Sequence, residues 1–220
     1  MNKLVKTIEL FDATTPYLKP LFESSEFPWE ILPKIKEHVF YVLENFKENF
    51  TEIQKGVFVG KNVKISSTAT FEGINIIGDG CEIRPGAYFR GNVITGENCV
   101  IGNSTELKNS VLLNGVQVPH YNYVGDSVLG NFAHMGAGSI CSNLKSDKKN
   151  IVIHGDREYQ TGLRKIGGIL GDYADVGCNS VINPGTVIGK KTAVYPLTFL
   201  RGVYPADCIV KNTNEYVKRK

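Results

Sequence analysis

Long apolar runs are missing from this sequence. No stretch of about 18 apolar residues occurs, so a membrane-spanning helix is not expected. The opening MNKLVKTIELFD interleaves Lys3, Lys6, Glu9 and Asp12 with its apolar residues and lacks the unbroken core of a secretory signal, so a cytoplasmic protein is expected. Cysteine is sparse: Cys81, Cys99, Cys141, Cys178 and Cys208 are scattered, odd in number and form no C-x-x-C pair, which points away from a disulfide framework or structural zinc site. Histidine is limited to four residues, and an excess of one charge is lacking too. A formal net charge of +3 is too small for an electrostatic nucleic-acid binder. One segment departs from this balance. Between Lys145 and Lys165, Lys145, Lys148, Lys149, Arg157, Arg164 and Lys165 face only Asp147, Asp156 and Glu158, which reads either as a solvated loop or as a patch for a phosphorylated ligand.

Glycine, with 23 residues, is what the chain has in excess. Its length allows one substantial core plus a small helical attachment. Stepping by six from Val59 reaches Ile65, Phe71, Ile77, Ile83 and Phe89. After a slip the ladder resumes at Ile101, Leu107 and Leu113, continues through Val118, Val124, Leu129 and Met135, and runs again from Leu170 through Val176, Ile182, Ile188 and Val194 to Leu200. Neither a helix nor simple strand alternation has this period, whereas a short strand plus a tight corner does. The apolar residue points inward, and the glycine or asparagine beside it tolerates the corner conformation. Three units close a triangular coil, and coils stack about 4.8 Å apart as neighbouring strands do. The fold class is therefore all-β, a parallel β-helix over residues 56–205.

Residues 1–55 lack the repeat. From Trp29 to Phe50, apolar Ile31, Ile35, Val39, Val42, Leu43 and Phe46 mark one helix face, which predicts an N-terminal helical cap on the first coil. Between 145 and 168 the ladder breaks again. There NIVIHGDREYQ alternates around Gly155 and Asp156 and predicts a basic loop with a projecting hairpin. Residues 206–220 read as a C-terminal tail.

The segments EIRPGAYF, IGNSTELKNS, VPHYNYVGDSVLG, MGAGSICSN and DVGCNSVINPGTVIG, taken in order, resemble the acetyltransferase domain of bacterial N-acetylglucosamine-1-phosphate uridyltransferase and its archaeal bifunctional counterparts. The resemblance spans residues 57–205. It implies a left-handed β-helix and acetyl-CoA as acyl donor. The implied acceptor is the amine of an amino-sugar 1-phosphate such as glucosamine 1-phosphate. A homotrimer with sites in the grooves between subunits is also implied, since a flat-faced solenoid has no deep cleft of its own. His120 is implied as general base. A neutral imidazole suits the removal of an amine proton near pH 7, although a histidine at a coil corner can equally be a packed, hydrogen-bonded residue. Arg84, Lys108, Tyr123, Asn143 and Lys149 are implied to hold the sugar phosphate. Gly136, Ala137 and Gly138 are implied to offer the Ala137 backbone N–H to the acetyl carbonyl.

Two positions depart from the family pattern. His134 in HMGAG replaces an asparagine beside the sugar, and Cys178 in DVGCNS, on the acetyl-CoA side, replaces a serine, a thiol being a weaker donor than a hydroxyl. No nucleotidyltransferase domain and no metal are expected. Two other readings remain: a non-catalytic β-helix partner of a separate sugar nucleotidyltransferase, and a γ-type carbonic anhydrase, which would need His120, His134 and His154 to converge on zinc.

Overall fold

Each six-residue step is realised as a short strand, of two to four residues, followed by a corner. The computed structural model describes residues 5–219. Among these, three parallel sheets form the faces of a triangular solenoid, a left-handed parallel β-helix. The first face stacks strands from Val57–Val59 to Val203–Tyr204, the second from Lys64–Ile65 to Cys208–Asn212, and the third from Thr70–Phe71 to Phe199–Leu200. Corner residues other than glycine adopt left-handed φ, from 46° at Asn109 to 60° at Tyr173 and Leu197. Asparagine and glycine enter this region at low cost, which explains their frequency beside the ladder. No helix among the described residues is long and apolar enough to cross a membrane.

The inner core follows the ladder with two corrections. Thr95 fills the position where the apolar repeat slips, keeping the six-residue step between Phe89 and Ile101. It is fully buried and accepts the Gly78 N–H at 3.0 Å through its hydroxyl. The inward residue after Leu107 is Leu112, in register with Thr95 and Leu129, not Leu113. Leu113 points outward into a second apolar cluster.

That second cluster explains the N-terminal segment. Ile76, Ile94, Val111, Val128, Ile169, Val187 and Val203 project from the outer side of the first face, yet none is more than 3% exposed. Burying each such side chain is worth about 1.5–3 kcal/mol, so this face demands a cover. The helix Ile31–Asn45 supplies part of it through Ile31, Leu32, Ile35, Val39 and Val42. The expected cap therefore lies along a face rather than over the end of the first coil. Residues 10–17 form a strap beside it that touches successive coils. The Tyr17 hydroxyl donates to Thr95 O (2.9 Å), Thr15 Oγ1 to Asn114 Oδ1 (2.8 Å), Asn131 Nδ2 to Asp12 O (2.9 Å), and Asp172 N to Leu10 O (3.0 Å).

Asp172 closes the strap. Its carboxylate, 1% exposed, accepts the Asp12 N–H at 2.8 Å, the Asn131 N–H at 2.7 Å and Lys190 Nζ at 3.2 Å. Lys190 also reaches Asp12 at 2.7 Å. Burial pushes the Asp172 carboxyl up, while the hydrogen bond from Lys190 holds Asp12 below its usual range.

Two further segments differ from expectation. The antiparallel hairpin Val152–His154 with Glu158–Gln160 is present, but it does not stand free. Ile151 and Ile153 are buried in the outer cluster, and Tyr159 packs edge-on against Phe27 and Trp29. The expected tail continues the solenoid. Cys208–Asn212 pairs in parallel with Ala193–Val194 and antiparallel with Glu215–Lys218. Residues 1–4 and 220 of the two terminal segments lie outside the described residues, and with them Lys3 of the opening run.

Asp172→Ala should leave the Asp12 and Asn131 amides and part of the Lys190 charge unsatisfied, a cost of about 2 kcal/mol or more. The expected outcome is a thermal midpoint lowered by about 4–8 °C, together with earlier proteolytic cleavage within residues 5–30. Calorimetry and timed proteolysis check this. An unchanged midpoint would mean that the strap is held by apolar packing alone.

Candidate functional site

The edge between the second and third faces carries His120, Ala137 and Cys178 in one column. Coil-to-coil hydrogen bonds fix it: Gly138 N–H donates to His120 O at 3.0 Å, Asn179 N–H to Ala137 O at 2.8 Å, and Leu197 N–H to Cys178 O at 2.9 Å. Neighbours in the column are therefore about 4.8 Å apart. His120 and Cys178 are exposed, and Ala137 is half-buried. The glycines around Ala137 are required by its surroundings. A Cβ on Gly136 would meet Cys178 N at 2.7 Å, and Gly138 has φ 72° with Asn179 Oδ1 against it. Among the described residues the Ala137 amide has no protein acceptor, so a donor stands at the edge one coil from the imidazole.

The third face carries a second group towards its opposite edge. Lys108 is in register with Gly125, and Glu106 with Tyr123. Asn143 Nδ2 donates to Tyr123 Oη at 3.2 Å and to Asp126 Oδ2 at 2.5 Å. Burial, and then the Asp126 and Glu106 carboxylates, push the Tyr123 phenol above its ordinary value, so it stays protonated at neutral pH. Arg90 belongs here and was missed in the sequence. Its backbone N–H donates to Leu107 O, which sets it beside Lys108, and its guanidinium pairs with Glu106 Oε1 at 2.6 Å. Arg84 does not join this group. It follows Ile83 on the second face, one side of the triangle before Arg90 in the same coil, and pairs with Glu82 at 2.9 Å. The R-P-G motif marks Arg84, which stands apart from Lys108 and Tyr123. The signal that finds Arg90 is its spacing to Lys108, one coil along the ladder.

The remaining predicted residues lie apart. His134 is on the second face with its Nδ1 2.8 Å from Asp175 Oδ1, and that hydrogen bond lowers the Asp175 carboxyl. Lys149 stands in the exposed stretch 146–150, its backbone N–H donating to Asp147 Oδ1 at 3.1 Å. His154 is in the hairpin beside Glu158 (3.3 Å). The three histidines of the zinc reading thus occupy an edge, a face and a hairpin. A groove of about 580 Å³ lies between the basic loop and the last coils, lined by Lys145, His154, Asn183, Phe199 and Arg201. It lies away from the His120 column.

Residues 71–157 match the GMPPB C-terminal domain family. The chain is 30% identical over 206 residues to the bifunctional protein GlmU of Methanococcus aeolicus, covering 86% of this chain and 44% of that protein. It is 35% identical over 178 residues to a bifunctional sugar-1-phosphate nucleotidylyltransferase/acetyltransferase of Sulfurisphaera tokodaii, covering 77% and 43% respectively. It therefore spans less than half the length of these relatives. Among solved structures, AntD, an N-acyltransferase from Bacillus cereus, aligns over 78% of this chain and 91% of its own with a TM-score of 0.42 and 21% identity. The acetyltransferase domain of PglB from Neisseria gonorrhoeae, in complex with acetyl coenzyme A, aligns over 84% and 66% with a TM-score of 0.39 and 14% identity. The chain is a left-handed β-helix that is similar in sequence to part of the bifunctional GlmU and sugar-1-phosphate nucleotidylyltransferase/acetyltransferase proteins.

Proposed function

We propose that the chain is an acetyl-CoA-dependent N-acetyltransferase whose acceptor is an amino-sugar 1-phosphate. The observation that carries this reading is the column in which an exposed imidazole and an amide without a protein acceptor stand one coil apart. The acceptor amine attacks the thioester carbonyl while a ring nitrogen of His120 takes its proton. The Ala137 N–H donates to the oxyanion that forms. Collapse breaks the carbon–sulfur bond, the acetamide leaves, and the proton on His120 passes to the CoA thiolate. Arg90, Lys108 and Tyr123 supply two fixed positive charges and a neutral donor for the sugar phosphate. Release of free CoA with a panel of amino-sugar 1-phosphates tests the reading, and no release with any of them would sink it.

The working unit in this reading is a homotrimer. His134 with Asp175 lies on the second face, whereas Lys108, Tyr123 and Asn143 lie on the third, so one chain turns them away from each other. A neighbouring subunit's face laid against the His120 edge brings both kinds of side chain to one groove. Tyr121 and Leu197 support this. They stand at that edge 63% and 79% exposed, with left-handed φ of 52° and 60° that bulky side chains adopt only at a cost.

Three outcomes are expected. His120→Ala should stay folded and lose about 10² to 10⁴ in turnover, read by the CoA-release assay; near-normal turnover removes His120 from the mechanism. Arg90→Ala and Lys108→Ala should mainly raise KM for the sugar phosphate, whereas Arg84→Ala should leave it nearly unchanged. A KM effect confined to acetyl-CoA would place the phosphate elsewhere. Light scattering should return a mass about three times the 24.3 kDa of one chain, and a fully active monomer would overturn the shared groove.

A further inference from the structure

Asn122 is the one amide side chain buried in the corner column next to the His120 edge. The equivalent position in other coils is held by Ala87, Thr105, Ser139, Ser180 and Thr198, all 0–3% exposed. Where these carry a hydroxyl, it bonds a corner carbonyl: Thr105 Oγ1 donates to Val118 O at 2.9 Å and Ser180 Oγ to Tyr195 O at 3.2 Å. Asn122, 3% exposed, does more. Its Oδ1 accepts the His120 N–H at 3.1 Å, inside its own coil. Its Nδ2 lies 2.9 Å from Gly136 O, 3.1 Å from Ser139 O and 3.1 Å from Ser139 Oγ, in the next coil. Gly136 and Ser139 bracket Ala137. One side chain thus ties the backbone of the imidazole-bearing residue to both ends of the turn that presents the free amide.

We propose that Asn122 is a positioning residue that sets the separation and orientation of His120 relative to the Ala137 N–H. The inference rests on the acetyltransferase reading and deepens it. A solenoid corner needs only a small side chain here, as Ala87 shows, so coil stacking does not require the double tie. The amide offers what a hydroxyl lacks: an acceptor that holds the His120 N–H in its own coil while donors in the same plane reach the next coil, whereas the Thr105 and Ser180 hydroxyls both donate to and accept from the next coil alone. The Gly138 N–H to His120 O bond fixes the spacing of the two corner turns, and the Asn122 side chain adds the further ties that set their tilt relative to one another. Misplacement of about 1 Å between reacting groups can cost on the order of 10² in rate.

The test compares Asn122→Ala with the wild-type full chain. Folding is checked by circular dichroism and the thermal midpoint, and Ala87 indicates that alanine fits this corner. The expected kinetic result is a kcat lowered about 10- to 100-fold, with KM for both substrates within about threefold. In a His120→Ala background the same substitution should cost less than about threefold, because the group being positioned is already gone. Independently of turnover, amide hydrogen exchange at His120 should accelerate at least about tenfold in Asn122→Ala. Wild-type kcat in folded Asn122→Ala, or an equal loss with and without His120, overturns the positioning role. If the exchange effect appears but the wild-type chain releases no CoA with any amino-sugar phosphate, the tie stands and the acetyltransferase reading fails. Should Asn122→Ala not fold, Asn122→Thr provides the same comparison, since Thr105 and Thr198 occupy the equivalent corner. Threonine keeps one hydroxyl donor and should restore part of kcat.

Discussion

The backbone hydrogen bond from each coil to the next is the constraint on which everything else depends. It holds residues a full coil apart in sequence at strand spacing, so that side chains align in columns. A column is indifferent to what it carries. The same register that stacks Ile83 on Ile101 and Val118 stacks His120 on Ala137 and Cys178. Chemistry on this scaffold is therefore a matter of which corner a residue occupies. That explains how residues as far apart in sequence as His120 and Cys178 share one edge.

The three faces are not equivalent. The first is apolar on both sides, its inner row packing the prism and its outer row packing the N-terminal segment and the hairpin. The second and third have mixed outer surfaces and meet at the His120 edge. The strap through Tyr17, Thr15, Asp12 and Leu10 contacts coils from Thr95 to Asp172. It cross-braces units that otherwise touch only their immediate neighbours. The covered face thus lies opposite the edge that carries the imidazole and the free amide.

Much of this was legible in the sequence, for physical reasons. An inward position in a prism admits few side chains, so the period of six stood out, and the helix Ile31–Asn45 betrayed itself by its apolar face. Thr95 was hidden because a buried hydroxyl with a local partner looks polar in sequence yet costs little in place. Leu112 and Leu113 could not be told apart while the outer layer was unknown, since either could face an apolar cluster. Arg84 and Arg90 differ by one six-residue step, one side of the triangle. The spacing to Lys108 separates them only when the slip at Thr95 is counted as a full step of the ladder, which the registered stacking establishes. Asn122 carried no signal, because its role lies in bonds to a turn in another coil.

The insertion between the strands Ile140–Cys141 and Gly168–Leu170 leaves the stacking undisturbed. Cys141 lies directly on Ile182, and Leu129 on Leu170. Its two ends are joined by the Ile166 N–H to Asn143 O bond at 3.1 Å, so the excursion returns to where it left. In the terms of chain evolution, such a segment is a cassette. It can lengthen, shorten or be exchanged at little entropic cost to the prism, because the loop is already closed by its host. One condition limits the exchange. Ile151, Ile153 and Ile166 lie over the first face, so any replacement must bring an apolar footprint of its own or leave that face wet.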